Sequence, residues 1–120
     1  LETPSIVSTK MPDGAAVAAT RSTKYFAHTK NVADDGIITL PAVQNFGYGR
    51  VIAGIDLANH TEFYMTYNGA VTLQNNVGAV VANADTDTKV CIGTAATQDP
   101  LSIKNRLGAA TFITVLFWYD

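Results

Sequence analysis

A single cysteine, Cys91, is the whole thiol inventory of this 120-residue chain. One thiol closes no intrachain disulfide and falls short of the ligand set of a structural zinc site. Within Lys89-Val90-Cys91-Ile92 it reads as a small buried hydrophobe on a strand. A reactive thiolate would need an adjacent base or a helix N-terminus, and the local sequence offers neither. Charge is scarce as well: charged residues make up 15 % of the chain, against roughly 25 % in ordinary soluble domains. The net charge is −2 and the eight Lys and Arg residues are scattered, so there is no electrostatic footprint for nucleic acid or an anionic membrane. No apolar run approaches the ~20 residues of a bilayer-spanning helix. Phosphate-binding glycine motifs are missing, since Gly47-Tyr48-Gly49 lacks a third glycine and a following helix. No Gly-x-Ser-x-Gly elbow is present either.

What the chain does have is apolar mass, 48 % of its residues, and its densest concentration is the segment from Ala110 to Tyr119. A strand with one wet face alternates apolar and polar side chains. Here Phe112, Leu116 and Trp118 point one way while Ile113, Val115, Phe117 and Tyr119 point the other. Both faces therefore call for cover, one from the domain core and the other from a second molecule. From that pattern we expect a component of a larger assembly.

Residues 1–23 differ from the rest. They hold Pro4, Pro12, Gly14, several Ser and Thr, and the run Ala15 to Ala19, with few large apolar side chains. The composition predicts an extended N-terminal arm, with Ile6 and Val7 as its attachment residues. A start at Leu1 rather than Met points to a processed or truncated terminus. From residue 24 to residue 120 we expect one β domain.

Short β-rich runs recur there every eight to twelve residues or so, separated by turn residues. The expected strands are 24–28, 36–40, 50–55, 62–67, 70–74, 79–82, 90–93, 101–104 and 110–119. Asp34-Asp35-Gly36 and Asn68-Gly69 supply turns, with glycine expected to take the positive φ. The stretch from Asn45 to Gly49 reads as a longer loop, Asp85 to Thr88 as a polar turn, and Asp99-Pro100 and Asn105 to Gly108 as further breaks. The predicted fold is all-β: an antiparallel β-sandwich, jelly-roll-like.

Candidate chemistry is thin. His28 and His60 are the only histidines, and neither has a Ser, Cys or Asp placed by motif for nucleophilic catalysis. Asp34-Asp35 and Asp85-x-Asp87 supply too few oxygens for a calcium loop and are read as turn chemistry. Asp56 and Glu62 are the remaining mid-chain acids for a glycosidase pair, which would have to flank a cleft. Asn59-His60-Thr61 fits a glycosylation sequon, of consequence only in a secretory eukaryote. We therefore expect no catalytic residue, cofactor or metal. Among the aromatics, Phe46, Tyr48, Phe63, Tyr64 and Tyr67 could line a sugar-binding face, with Phe46 and Tyr48 the best exposed candidates and protein contact the favoured role.

The runs Asp34 to Pro41, Gly47 to Val51, Phe63 to Leu73, Asp85 to Ile92 and Ile103 to Gly108 together resemble small β-sandwich virion proteins of tailed bacteriophages. These include head decoration, head-fibre and tail-fibre tip modules. The resemblance spans about residues 25–119, rests on turns and strands, and carries no site motif. It implies a virion location, a homotrimer, attachment to a major capsid or other virion protein through residues 1–23, and apolar stabilisation of the particle. The residues expected at the oligomer interface are Phe112, Leu116, Trp118 and Tyr119. The alternative it implies is a fibre tip that binds a host receptor or surface glycan through Phe46 and Tyr48.

Overall fold

The computed structural model describes residues 23–55, 57–67, 70–93 and 101–120. Ile6, Val7 and the rest of the expected arm up to residue 22, Asp56, the Asn68-Gly69 turn and Asp99-Pro100 lie outside the described residues.

The described residues form nine strands and no helix: β1 (Lys24–Val32), β2 (Ile37–Thr39), β3 (Phe46–Ala53), β4 (His60–Thr66), β5 (Thr72–Val77), β6 (Val81–Ala82), β7 (Val90–Ile92), β8 (Ser102–Asn105) and β9 (Thr111–Tyr119). They make a five-stranded sheet in the order β1-β9-β3-β4-β5 and a four-stranded sheet in the order β2-β8-β7-β6. The architecture is all-β and sandwich-like. Every pairing is antiparallel except β6 with β7, which is parallel and departs from the expected pattern.

Period-two patterning places the core. Ile113, Val115 and Phe117 of β9 are fully buried, as are Val51 of β3 and Phe63 of β4. They share one cluster with Ile38, Val81, Val90, Ile92 and Ile103 of the smaller sheet. Phe117 lies at the centre, stacked on Phe63 with ring centroids 5.7 Å apart. Burying such a ring contributes about 2–3 kcal/mol by area alone.

Phe46 to Gly49 form the start of β3, not a loop. The glycines that read as turn residues serve instead to make room. On Gly47 a Cβ would overlap the Phe117 ring, and on Gly49 it would overlap the Leu116 carbonyl and come within 2.8 Å of Phe63. Space for two core rings thus explains both glycines, and it turns the side chains of Phe46 and Tyr48 to the outer face. The Asp34-Asp35-Gly36 turn forms, yet Asp35 rather than Gly36 takes the positive φ, at 62°. The Gly36 amide donates to the Ala33 carbonyl at 2.8 Å.

One buried polar residue ties the sheets together. The Asn105 amide nitrogen donates to the carbonyls of Val32 and Ala109, each at 2.9 Å, while its oxygen accepts from the Leu107 N–H at 2.9 Å. A fully buried amide costs little only when satisfied in this way.

Candidate functional site

Strand register assembles the site. Across the outer face of the five-stranded sheet Tyr25 pairs with Trp118, Trp118 with Tyr48, and Tyr48 with Tyr64. Four aromatic side chains thus stand in one row over four adjacent strands. Phe46 sits one pleat further along β3 on the same side. All five are exposed, from Trp118 at 36 % to Tyr25 at 53 %. We call this row the ridge.

The rings support each other. Tyr25 and Trp118 have centroids 4.9 Å apart with planes at 37°, and Tyr48 and Trp118 are 6.1 Å apart at 31°. Rings lying edge to edge in one plane need separations near the ~7 Å end of the aromatic range. The planes are tilted against one another, so the row is not one flat platform.

A mixed row follows, apolar on β1 and β9 and polar on β3, β4 and β5. Ala27, Leu116, Arg50, Glu62 and Gln74 are in register behind the ridge. Glu62 is its hub: it accepts from Tyr48 Oη at 3.1 Å, Arg50 Nη2 at 2.8 Å and Asn75 Nδ2 at 3.3 Å. The bond to Glu62 pushes the Tyr48 phenol above its ordinary value, with desolvation and the carboxylate charge adding to it. Arg50 and Glu62 are the only charged residues on the outer side of these five strands, and they neutralise one another.

At the far end Thr29, Ile52, Gly54, Ile55, Leu57, Phe112 and Thr114 line an open groove of about 370 Å³. Ile55 is 89 % exposed at its rim. The outer face is thus a ridge, a middle belt whose one ion pair is neutral, and a mainly apolar groove.

Of the expected interface residues, Phe112, Leu116 and Trp118 are on this face. Tyr119 is not. It lies on the inner side, stacked on Phe117 at 5.4 Å and 9°, with Lys24 Nζ 5.8 Å from its ring. Of the other aromatics considered for a sugar face, Tyr64 joins this face and Phe63 is buried in the core. Tyr25, Arg50, Glu62, Ile52, Ile55 and Leu57 join it although no local sequence signal marks them for it, because only register brings them together.

The chemical candidates do not converge. His28 on β1 pairs with Val115 on the inner side, whereas His60 on β4 pairs with Ile52 on the outer side and its Nδ1 lies 2.9 Å from the Leu57 carbonyl. Cys91 is buried in the other sheet, its thiol donating to the Thr86 carbonyl at 3.2 Å. The two acidic turns do converge, on a cation. Arg106 reaches Asp85 at 3.1 Å, Asp87 at 3.7 Å and Asp35 at 3.8 Å, and the Gly108 amide donates to Asp34 at 3.0 Å. Among the described residues no group of His, Cys, Asp or Glu is arranged to hold a metal ion.

Comparison with protein-family models, curated proteins and solved structures finds no match for this chain.

Proposed function

We propose that this chain is a non-catalytic structural protein of a bacteriophage virion, a capsid decoration protein in which the outer face of the five-stranded sheet is the contact surface. The observation that carries the reading is the ridge. Large aromatic side chains are exposed in register on a strand face whose opposite side already fills the core. Exposed large side chains clustered in this way are a recurrent feature of protein contacts. Aromatic residues with few charges are also the composition of an interface centre. Burial of the face against neighbours would strengthen the particle by ~25 cal/mol per Å² of apolar area.

In this reading the sandwich is jelly-roll-like, and residues 1–23 are the segment that attaches to a major capsid or other virion protein. The assembled form is a homo-oligomer, with three copies implied by the resemblance. A second reading, a fibre tip that binds host glycan, draws on one observation: the Tyr48, Glu62, Arg50 and Asn75 network beside exposed rings offers polar groups next to apolar ones. The mutual tilt of the rings, which leaves no single flat platform, favours protein contact over sugar stacking.

Immuno-electron microscopy of gradient-purified particles, with mass spectrometry of their proteins, tests the proposal. Label spread over the capsid supports decoration. Label at the tail favours the fibre-tip reading, and absence of the chain from particles contradicts both.

A further inference from the structure

The proposed contact face carries bulky rings at one end and an open groove at the other. We infer that the outer face packs on the same face of a second copy of this chain, inverted, so that the ridge of each copy seats in the groove of the other. This rests on the reading of that face as a contact surface and names its first partner.

Three observations carry it. The first is shape. Bulky rings stand at one end and a groove of about 370 Å³ lies at the other. Along β9 the two ends are marked by Trp118 and Phe112, six residues apart, or about 20 Å at ~3.3 Å per residue. Turning a second copy over about an axis across the strands at Val115 brings Trp118 above the partner's end of the groove. Like-on-like stacking without inversion would instead oppose ridge to ridge and hold the belts apart.

Charge is the second. The five strands contribute one cation and one anion to this side, Arg50 and Glu62, already 2.8 Å apart. Two copies meet with no net repulsion, and neither charge is left unpaired when water is excluded.

The third is area. Taking ~200 Å² for each large side chain, the exposed parts of the five ridge residues and of Ile55, Leu57 and Phe112 amount to roughly 800 Å². That is the area one partner contributes to a stable interface of standard size.

Symmetry follows from the geometry. A ridge seated in a groove of the same face turns the partner's face over, so the contact is isologous and closes after two copies. Three such faces around a threefold axis splay apart and touch only near that axis, leaving most of the ridge wet. The inverted pair therefore stands in place of the threefold arrangement.

The test is complementation by charge. In the full chain, Trp118→Lys places a cation on the ridge and Phe112→Glu an anion at the groove, both at exposed positions. Sedimentation velocity should show wild-type dimers at tens of micromolar, with each variant's association weakened by roughly 30-fold or more, as for loss of an interface hot spot. Circular dichroism should show both variants folded. Mixed in equal amounts they should recover dimers, since the ammonium introduced on the ridge of one copy then meets the carboxylate introduced at the groove of the other. A wild-type trimer, or variants that dimerise unmixed, would overturn the inverted pair. So would a mixture that stays monomeric. A folded wild-type monomer that dimerises only after deletion of residues 1–22 would overturn it too, making that segment the occupant. A wild-type monomer with and without that segment would make the partner foreign. In that case capsid labelling in particles would still uphold the proposed function, so the two failures are distinguishable.

Discussion

Asp120 Oδ1 accepts the backbone N–H of Asn45 at 2.9 Å, fastening the end of β9 to the segment that opens β3. The amides of Gln44 and Phe46 donate to the same oxygen at 3.2 and 3.3 Å. This clasp anchors Phe46, the first residue of β3, to the end of β9.

The clasp gives the fold a pH dependence. Burial alone would raise the Asp120 carboxyl, but the bonds from Asn45, Phe46 and Gln44 outweigh it and hold the group at about 2, below its ordinary 3.8. A carboxyl depressed in the fold stabilises above its unfolded value and loses that contribution as pH falls through the folded value. Between pH 5 and pH 2 urea denaturation should show about 1–2 kcal/mol lost to this group. Asp120→Asn should be less stable at pH 6 by a similar amount and flatter across the acid range.

Gly49→Ala should destabilise by about 2–4 kcal/mol, because its methyl group would strike the Leu116 carbonyl and the Phe63 ring. Gly108→Ala meets open space and is strained only by its φ of 96°, so it should cost about 1 kcal/mol. Chemical denaturation of the two variants side by side separates crowding from backbone strain.

Asn105→Leu should cost about 2–3 kcal/mol, since Leu107 N–H and the carbonyls of Val32 and Ala109 lose their partner. Hydrogen exchange should then accelerate at the β1–β2 and β8–β9 turns ahead of the centre of β9.

Arg106→Ala leaves Asp35, Asp85 and Asp87 facing one another without their shared cation. Its melting temperature should fall in low salt and recover toward wild type near 1 M salt, where the Debye length is about 3 Å. Equal loss at both salt concentrations would contradict an electrostatic role.

Much of the fold is legible in the sequence because two-residue periodicity is a local property. The split of Phe112, Leu116 and Trp118 from Ile113, Val115 and Phe117 needs no knowledge of neighbours, and the structure places each set on its own side. Gly47 and Gly49 mislead because a glycine that makes room for a ring has the same letter as one that turns the chain. The ridge is only half visible. Tyr25 and Tyr64 sit on strands expected from sequence, but their alignment with Trp118 and Tyr48 depends on register between segments far apart in the chain. Arg106 escapes sequence reading for the same reason: two acidic turns separated by fifty residues or so share it only after the sheets have formed. Composition groups Tyr119 with Trp118 as an interface residue, although its parity places it with Phe117, and the stacking follows parity.

Radical footprinting at Trp118, the only tryptophan in the chain, read by mass spectrometry for the chain in purified virions and for dilute free chain, tests the outer face as a contact surface most directly. Strong protection of Trp118, Tyr25 and Tyr48 in the particle, with free labelling in the dilute chain, is the expected result. Equal labelling of all three in both states would contradict the outer face as a contact surface.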